Sequence, residues 1–251
     1  MTATANPNVF PLLLAMARNP QLAVSLTPVA DGAGIDTAFA TGGAEALLSM
    51  TYTAAQKSVS GKIPSLQLVS VNLWRGFSEV SPTALGITSF AQLVGKGIIV
   101  SGPTSGGKGG GPDLIFQAAI KRAGFLPTQF NICYLPVLEG AAMIAQQTLM
   151  SSNVKCPATF TMPASAISLV EPAATGLVLQ TLMPATAGAP APTPLARAID
   201  VQSLFTGFTA WPATQLPHGG MSVLKAVSDD PARAAALAQV RTAYTAAVDE
   251  I

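Results

Sequence analysis

Short apolar blocks alternate along this chain with stretches whose apolar positions recur at helical spacing, and glycine or proline stands at most of the changes. Residues 9–17 read as a helix opening near Pro11, with Leu12, Leu13 and Leu14 buried. Residues 22–27 and 36–40 then read as strands, Thr41-Gly42-Gly43 as a sharp turn, 44–57 as a helix and 66–73 as a strand. From 74 to 85 the pattern is irregular. A second alternating series follows: a short helix at 89–93, strand 97–101, helix 113–123, strand 130–135, helix 138–151 and strand 157–161. A short helix at 164–170 and a strand at 176–182 lead into a Pro/Ala-rich connection at 183–194. Residues 200–208 and 221–226 read as strands, and Asp229-Asp230-Pro231 opens a last helix reaching Val248.

Two alternating series imply an α/β protein of two lobes, each a mostly parallel sheet flanked by helices. The last strands have no helix partners of their own, so they are expected to return to the first lobe. Residues 1–80 with 200–251 would form lobe one and 81–199 lobe two, with crossings near 74–86 and 183–200. Ligands in such sheets sit outside the carboxyl ends of the strands, at helix N-termini.

One such place stands out. The apolar run Ile98-Ile99-Val100 breaks into a loop rich in glycine from Gly102 to Gly111, followed by Pro112 and Asp113 at a helix start. Backbone N–H groups and the helix dipole there favour an anion. Gly102, Gly107 and Lys108 have the spacing of a phosphate-binding loop, but Gly109 stands where a magnesium-holding Ser or Thr is required. A nucleotide hydrolase is therefore disfavoured.

Bulk properties narrow the rest. At 251 residues the chain can bury a large core. Charged residues are only 10% and the net charge is +1 without a basic block, which argues against nucleic acid as partner. No apolar run reaches the ~18–20 residues of a bilayer span. The N-terminus lacks the basic start and apolar core of a signal peptide, leaving a cytoplasmic protein or one shown without its export sequence. Cys133 and Cys156 would be separated by the 97–101 strand, beyond the ~7 Å between Cα atoms that a bridge allows, so two reduced thiols are expected. His218, the only histidine, reads as a turn residue, and no metal site or Ser-His-Asp arrangement is visible.

The order of elements resembles the periplasmic solute-binding proteins of ABC importers, type 2 fold, most closely the nitrate/sulfonate/taurine group that includes NMT1/THI5-like domains. VFPLLLAMARNPQLAVSLTP is similar to the family's opening helix and second strand, and DTAFATGGAEALL to its strand, small-residue turn and helix. ITSFAQLVGKGIIVSGP resembles the entry to lobe two, VLEGAAMIAQQ its following helix, ATFTMPASAISLV the strand facing the cleft, and LPHGGMSVLKAV the return to lobe one. Gln92 stands where the family usually has Asp, and Thr161-Met162-Pro163 where Glu-Pro is common. The resemblance implies a monomeric periplasmic protein that closes over a small ligand in an interlobe cleft and docks on a membrane permease, with no cofactor and no catalysis. It leaves a same-fold biosynthetic enzyme as the alternative, although the iron-linked cysteine cluster and histidine of the pyrimidine-forming relatives have no counterpart here.

The candidate ligand-binding residues are Thr41, Gly42 and Gly43 in lobe one and Thr104, Ser105 and Gly106 in lobe two, as hydroxyl and amide donors. Phe10 and Met162 are candidates for an apolar wall, and Trp74 for stacking near the crossing. Each has a plainer reading: a helix cap for Thr41, loop flexibility for 104–106, core packing for Phe10 and Met162, hinge packing for Trp74. The expected ligand is a small organic anion, a sulfonate or carboxylate.

Overall fold

The computed structural model describes residues 1–3, 8–74, 76–102, 108–148, 156–160, 163–184, 191–205 and 216–250. The chain divides into two units, Met1–Trp74 with Pro217–Ile251, and Arg75–Leu216. The elements run β1 (Thr2–Ala3), α1 (Val9–Arg18), β2 (Thr27–Pro28), α2 (Gly32–Ala40), β3 (Ala46–Met50), α3 (Thr51–Val59) and β4 (Leu66–Trp74). Unit two holds β5 (Phe77–Pro82), β6 (Gly97–Gly102), α4 (Gly111–Arg122), β7 (Asn131–Pro136), α5 (Val137–Gln146), β8 (Ala166–Val170), α6 (Ala173–Leu182) and β9 (Leu195–Asp200). The chain then returns to unit one as β10 (Pro217–Leu224), α7 (Lys225–Asp229) and α8 (Pro231–Val248).

Unit one is a five-stranded sheet in the order β2-β1-β3-β10-β4. β1, β2 and β3 are parallel, whereas β10 runs antiparallel to both β3 and β4. Leu47 and Leu48 are fully buried on opposite faces, one against Ile35, Ala54 and Ile63, the other against Leu12, Met221 and Tyr244. Asp230 caps α8 by accepting from the amides of Ala232 and Arg233, as expected of an Asp-Pro start. The hydroxyl of buried Tyr244 on α8 donates to the Asn8 carbonyl at 3.0 Å, tying α8 to the start of α1. Tyr244→Phe is expected to lower unfolding stability by about 1 kcal/mol, the net worth of one buried hydrogen bond. Urea unfolding read by circular dichroism checks this, and an unchanged midpoint would contradict it.

Unit two has the order β7-β6-β8-β5-β9, with β6, β7 and β8 parallel and β5 antiparallel to both neighbours. Ile99, Cys133, Ile167, Leu169 and Val80 form one face, packed by Met143 and Ile144 of α5 and by Ala174 and Leu177 of α6. Gly140 lets α5 approach closely: a Cβ there would stand 2.6 Å from the Ser101 hydroxyl and 2.9 Å from Ile99. Phe116 of α4 meets Phe90 and Phe130 edge to face. Gln92 caps the turn before β6: its Oε1 accepts from the amides of Thr88 and Ser89 at 2.8 and 3.1 Å.

Several expected elements are corrected. Residues 36–40 are helical, inside α2, because Asp31 accepts from the Gly34 amide at 2.9 Å and Ile35 and Phe39 fall on one face. The expected helix 44–57 is β3 followed by α3; Ala46-Leu47-Leu48-Ser49 is buried on both faces, and such a run has no period to distinguish strand from helix. Of the expected strand 22–27 only Thr27 is in a strand. The irregular stretch 74–85 contains β5, hidden because Ser78, Glu79 and Ser81 are buried polar residues. The expected strand over 157–161 is absent through residue 160; the strand is β8, where a helix was expected, and 176–182 lies in α6 rather than a strand. Residues 201–205 form a 3-10 turn after β9. The unit boundaries accordingly fall outside β5 and β9, which both belong to unit two.

The cysteines are also corrected: Cys133 and Cys156 form a disulfide, with Cα atoms 4.8 Å apart. The expected obstacle vanishes because the strand on the far side of β6 starts only at Ala166, and β7, which carries Cys133, is the outer strand of the sheet.

Candidate functional site

The strand directions of unit one gather five chain segments at one edge, among them β2, which leads into α2 behind Asp31. β1 and β3 end there, leading into α1 and α3; β4 ends there at Trp74, and β10 begins there, with Pro217 aligned with Trp74 and Gly219 with Met50. Asn8, at the N-cap of α1, is fully buried and donates from Nδ2 to the Ser49 carbonyl at 3.1 Å. Gly219 is required opposite it, since a Cβ would stand 2.2 Å from Asn8 Oδ1. The Thr51 hydroxyl, in the first residue of α3, donates to the Pro217 carbonyl at 2.5 Å. Tyr52 follows, its ring edge-on to His218 with centroids 5.9 Å apart and planes at 70°. Burial pushes the Tyr52 phenol well above its ordinary range, so it stays a neutral donor. His218 is buried in β10, not the turn residue expected of Pro-His-Gly-Gly.

Thr41, Gly42 and Gly43 are not at this edge. They precede β3, at the amino edge of the sheet, and Gly42 makes the turn with φ +71°. The Thr41 hydroxyl donates to the Thr37 carbonyl at 2.9 Å, closing the end of α2. Phe10 does lie at the carboxyl edge, 67% exposed in the first turn of α1, as does half-buried Trp74. Thr104, Ser105, Gly106 and Met162 lie outside the described residues. Asn8, Thr51, Tyr52 and His218 were not singled out as ligand contacts from sequence. Placing the strand at 46–50 would have found Thr51 and Tyr52, because the residues that follow a parallel strand open the next helix at its carboxyl end.

In unit two the glycine loop meets a charge of the chain's own. Asp113, almost fully buried in the first turn of α4, accepts from the Gly109 amide at 2.8 Å, from Gln117 Nε2 at 2.9 Å and from the Tyr134 hydroxyl at 2.9 Å. Burial and then this hydrogen bond push the Tyr134 phenol up. Exposed Lys108 places Nζ 5.8 Å from the centre of the Tyr134 ring. α5 likewise carries Glu139 in its first turn, whereas α1 and α3 carry no acid there. Among helices that open at carboxyl edges, α1 and α3 thus retain more anion-receptive N-termini than α2, capped by Asp31, or α4 and α5. Met50, the N-cap of α3, makes no side-chain cap.

Burial works to raise the Glu171 carboxyl, but hydrogen bonds from Thr175 and Arg197 outweigh it and leave it below the usual range. Among the described residues no cluster of three His, Cys, Asp or Glu side chains is placed to hold a metal, and no helix is long and apolar enough to cross a membrane. A cavity of about 260 Å³ in unit one is lined by Val24, Ala46, Val223, Leu237 and Val240 with the Glu45–Arg233 pair at its rim. It adjoins the amino end of β3, away from the residues above.

No protein-family model matches the sequence, and no curated protein matches it. Solved structures do. The periplasmic aliphatic sulphonate binding protein SsuA from Escherichia coli is 14% identical, with a TM-score of 0.64 over 99% of this chain and 72% of that one. The alkanesulfonate-binding protein SsuA from Xanthomonas axonopodis pv. citri, bound to MOPS, is 13% identical, with a TM-score of 0.58 over 98% and 71%. A nutrient binding protein from Burkholderia cenocepacia, bound to methionine, is 14% identical, with a TM-score of 0.51 over 99% and 92%. The chain has the α/β fold of type 2 periplasmic binding proteins, each unit a five-stranded sheet flanked by helices, with one antiparallel strand in the interior of each sheet.

Proposed function

We propose that this chain is the solute-binding component of an ABC importer and captures a small organic anion, a sulfonate or carboxylate, at the carboxyl edges of its sheets. The observation that carries the reading is the likeness over almost the whole chain to binding proteins of such importers. The edge of unit one supports it with α3, whose N-cap residue makes no side-chain cap, with the neutral Tyr52 phenol, and with no acid in the first turn of α1 or α3. The anion is received at α3 rather than at the glycine loop, where Asp113 already accepts from Gly109. Phe10 and Trp74 remain ligand contacts in this reading; Thr41, Gly42 and Gly43 do not. The ligand-bound form is the one a membrane permease accepts. The Cys133–Cys156 bridge fits an oxidising compartment such as the periplasm.

A thermal-shift screen of sulfonates, carboxylates and nitrate tests the reading. A cognate anion at about 100 times its Kd is expected to add about 2.7 kcal/mol of stability. Mass spectrometry should return that compound unchanged, and Tyr52→Ala should weaken it at least tenfold, which is ~1.4 kcal/mol. Conversion of the compound into a product would favour a same-fold enzyme instead.

A further inference from the structure

Phe, Tyr and Trp make up only 6% of the chain, yet one of each stands at the carboxyl edge of unit one, in Phe10, Tyr52 and Trp74, together with the ring of His218. The described residues that open α1 and α3, end β4 and begin β10 include no Lys, Arg, Asp or Glu. These rings have two different environments. Tyr52 and His218 pack edge to face and His218 is buried, so that pair forms a fixed floor. Phe10 is mostly in water and Trp74 is half-buried, although both are large apolar groups on regular elements. A short aliphatic acid needs donors for its head group and little else. Flat apolar faces left accessible beside neutral donors are suited to a ring that stacks on them.

We infer that the solute carries an aromatic or heteroaromatic ring on its acidic group, and that Trp74 and Phe10 receive the ring. The inference rests on the solute-binding reading and specifies the body of the ligand rather than its head group. It makes Trp74 and Phe10 specificity-determining residues: they discriminate ring from chain, while the head group is met by the donors at α3.

Matched pairs separate the two contributions. Calorimetric titration compares benzenesulfonate with ethanesulfonate, and benzoate with acetate, on the full chain. The ring member of at least one pair is expected to bind at least tenfold more tightly. Trp74→Leu should abolish that advantage, weakening the ring members far more than ethanesulfonate or acetate, and Trp74→Phe should keep most of it. Phe10→Ala, a change at an exposed site that folding tolerates, should reduce the advantage several-fold and guards against a misfolded Trp74 variant. Equal or tighter binding of the aliphatic members would overturn this inference and leave the solute-binding reading standing. A ring advantage that survives both Trp74→Leu and Phe10→Ala would overturn its assignment to this edge. No binding by either pair at millimolar concentration would count against both the ring and the anion.

Discussion

Reduction of the Cys133–Cys156 disulfide is expected to lower unfolding stability by roughly 3 kcal/mol, the chain-entropy value for a loop of this length. The bridge fastens Cys156 to β7, the outer strand of unit two, whose Cys133 side chain is itself buried in the core with Ile99 and Leu135. Losing it frees the unfolded chain and leaves the segment before β8 with fewer ties to the sheet. Urea unfolding with and without a phosphine reductant measures the difference, and the Cys133→Ser, Cys156→Ser double variant should match the reduced protein to within about 1 kcal/mol. Two free thiols titrating in the native, untreated protein, or coincident unfolding curves, would sink the prediction. The outcome also bears on location, since a bridge contributing this much stability belongs in a compartment that keeps it oxidised.

The bridge is also where sequence reasoning failed for an identifiable reason. Strands with an unambiguous pattern were legible: β4, β6 and β7, and the helices α1, α4 and α8 with their Pro and Asp starts, lie within a few residues of expectation. Central strands were not. β3 and β8 are short and buried on both faces, so their apolar runs carry no period, and α2 and α6 are rich in Ala, Gly and Thr, which suit either state. Exchanging strand for helix at 36–57 moved Thr41-Gly42-Gly43 to the wrong edge of the sheet. The same exchange at 157–182 put a strand between two cysteines that are in fact bonded. Phe10 and Trp74 do stand at the carboxyl edge, because α1 and β4 were read in register. Asn8 and His218 depend on pairings distant in sequence, Asn8 with Ser49 and Tyr244, Gly219 with Met50, which no local pattern reports.

β5 escaped detection for a further reason, and that reason makes the protein sensitive to pH. Its central residue, Glu79, is completely buried, aligned with Ser168 on β8 and Ile199 on β9. Among the described residues neither carboxyl oxygen has a hydrogen bond of good geometry, although Ser168 is near enough to offset part of the shift. Burial pushes Glu79 up from 4.5 to about 8, so at neutral pH the folded protein holds it mostly as the acid. In the unfolded chain it ionises near its ordinary value. The folded state thus binds a proton that the unfolded state has released. The stability contribution of neutral Glu79 is complete below about pH 4.5, declines as pH rises, and is lost above the folded value near 8. At about 1.4 kcal/mol per unit, the loss is on the order of 5 kcal/mol. Glu79→Gln keeps the shape and removes the titration, so its stability should fall much less than that of the wild type between pH 5 and pH 9. Urea midpoints measured across that range decide the matter. Parallel profiles for the two proteins would mean that Glu79 is solvated or paired in solution, and that β5 does not carry a dry acid through the middle of its sheet.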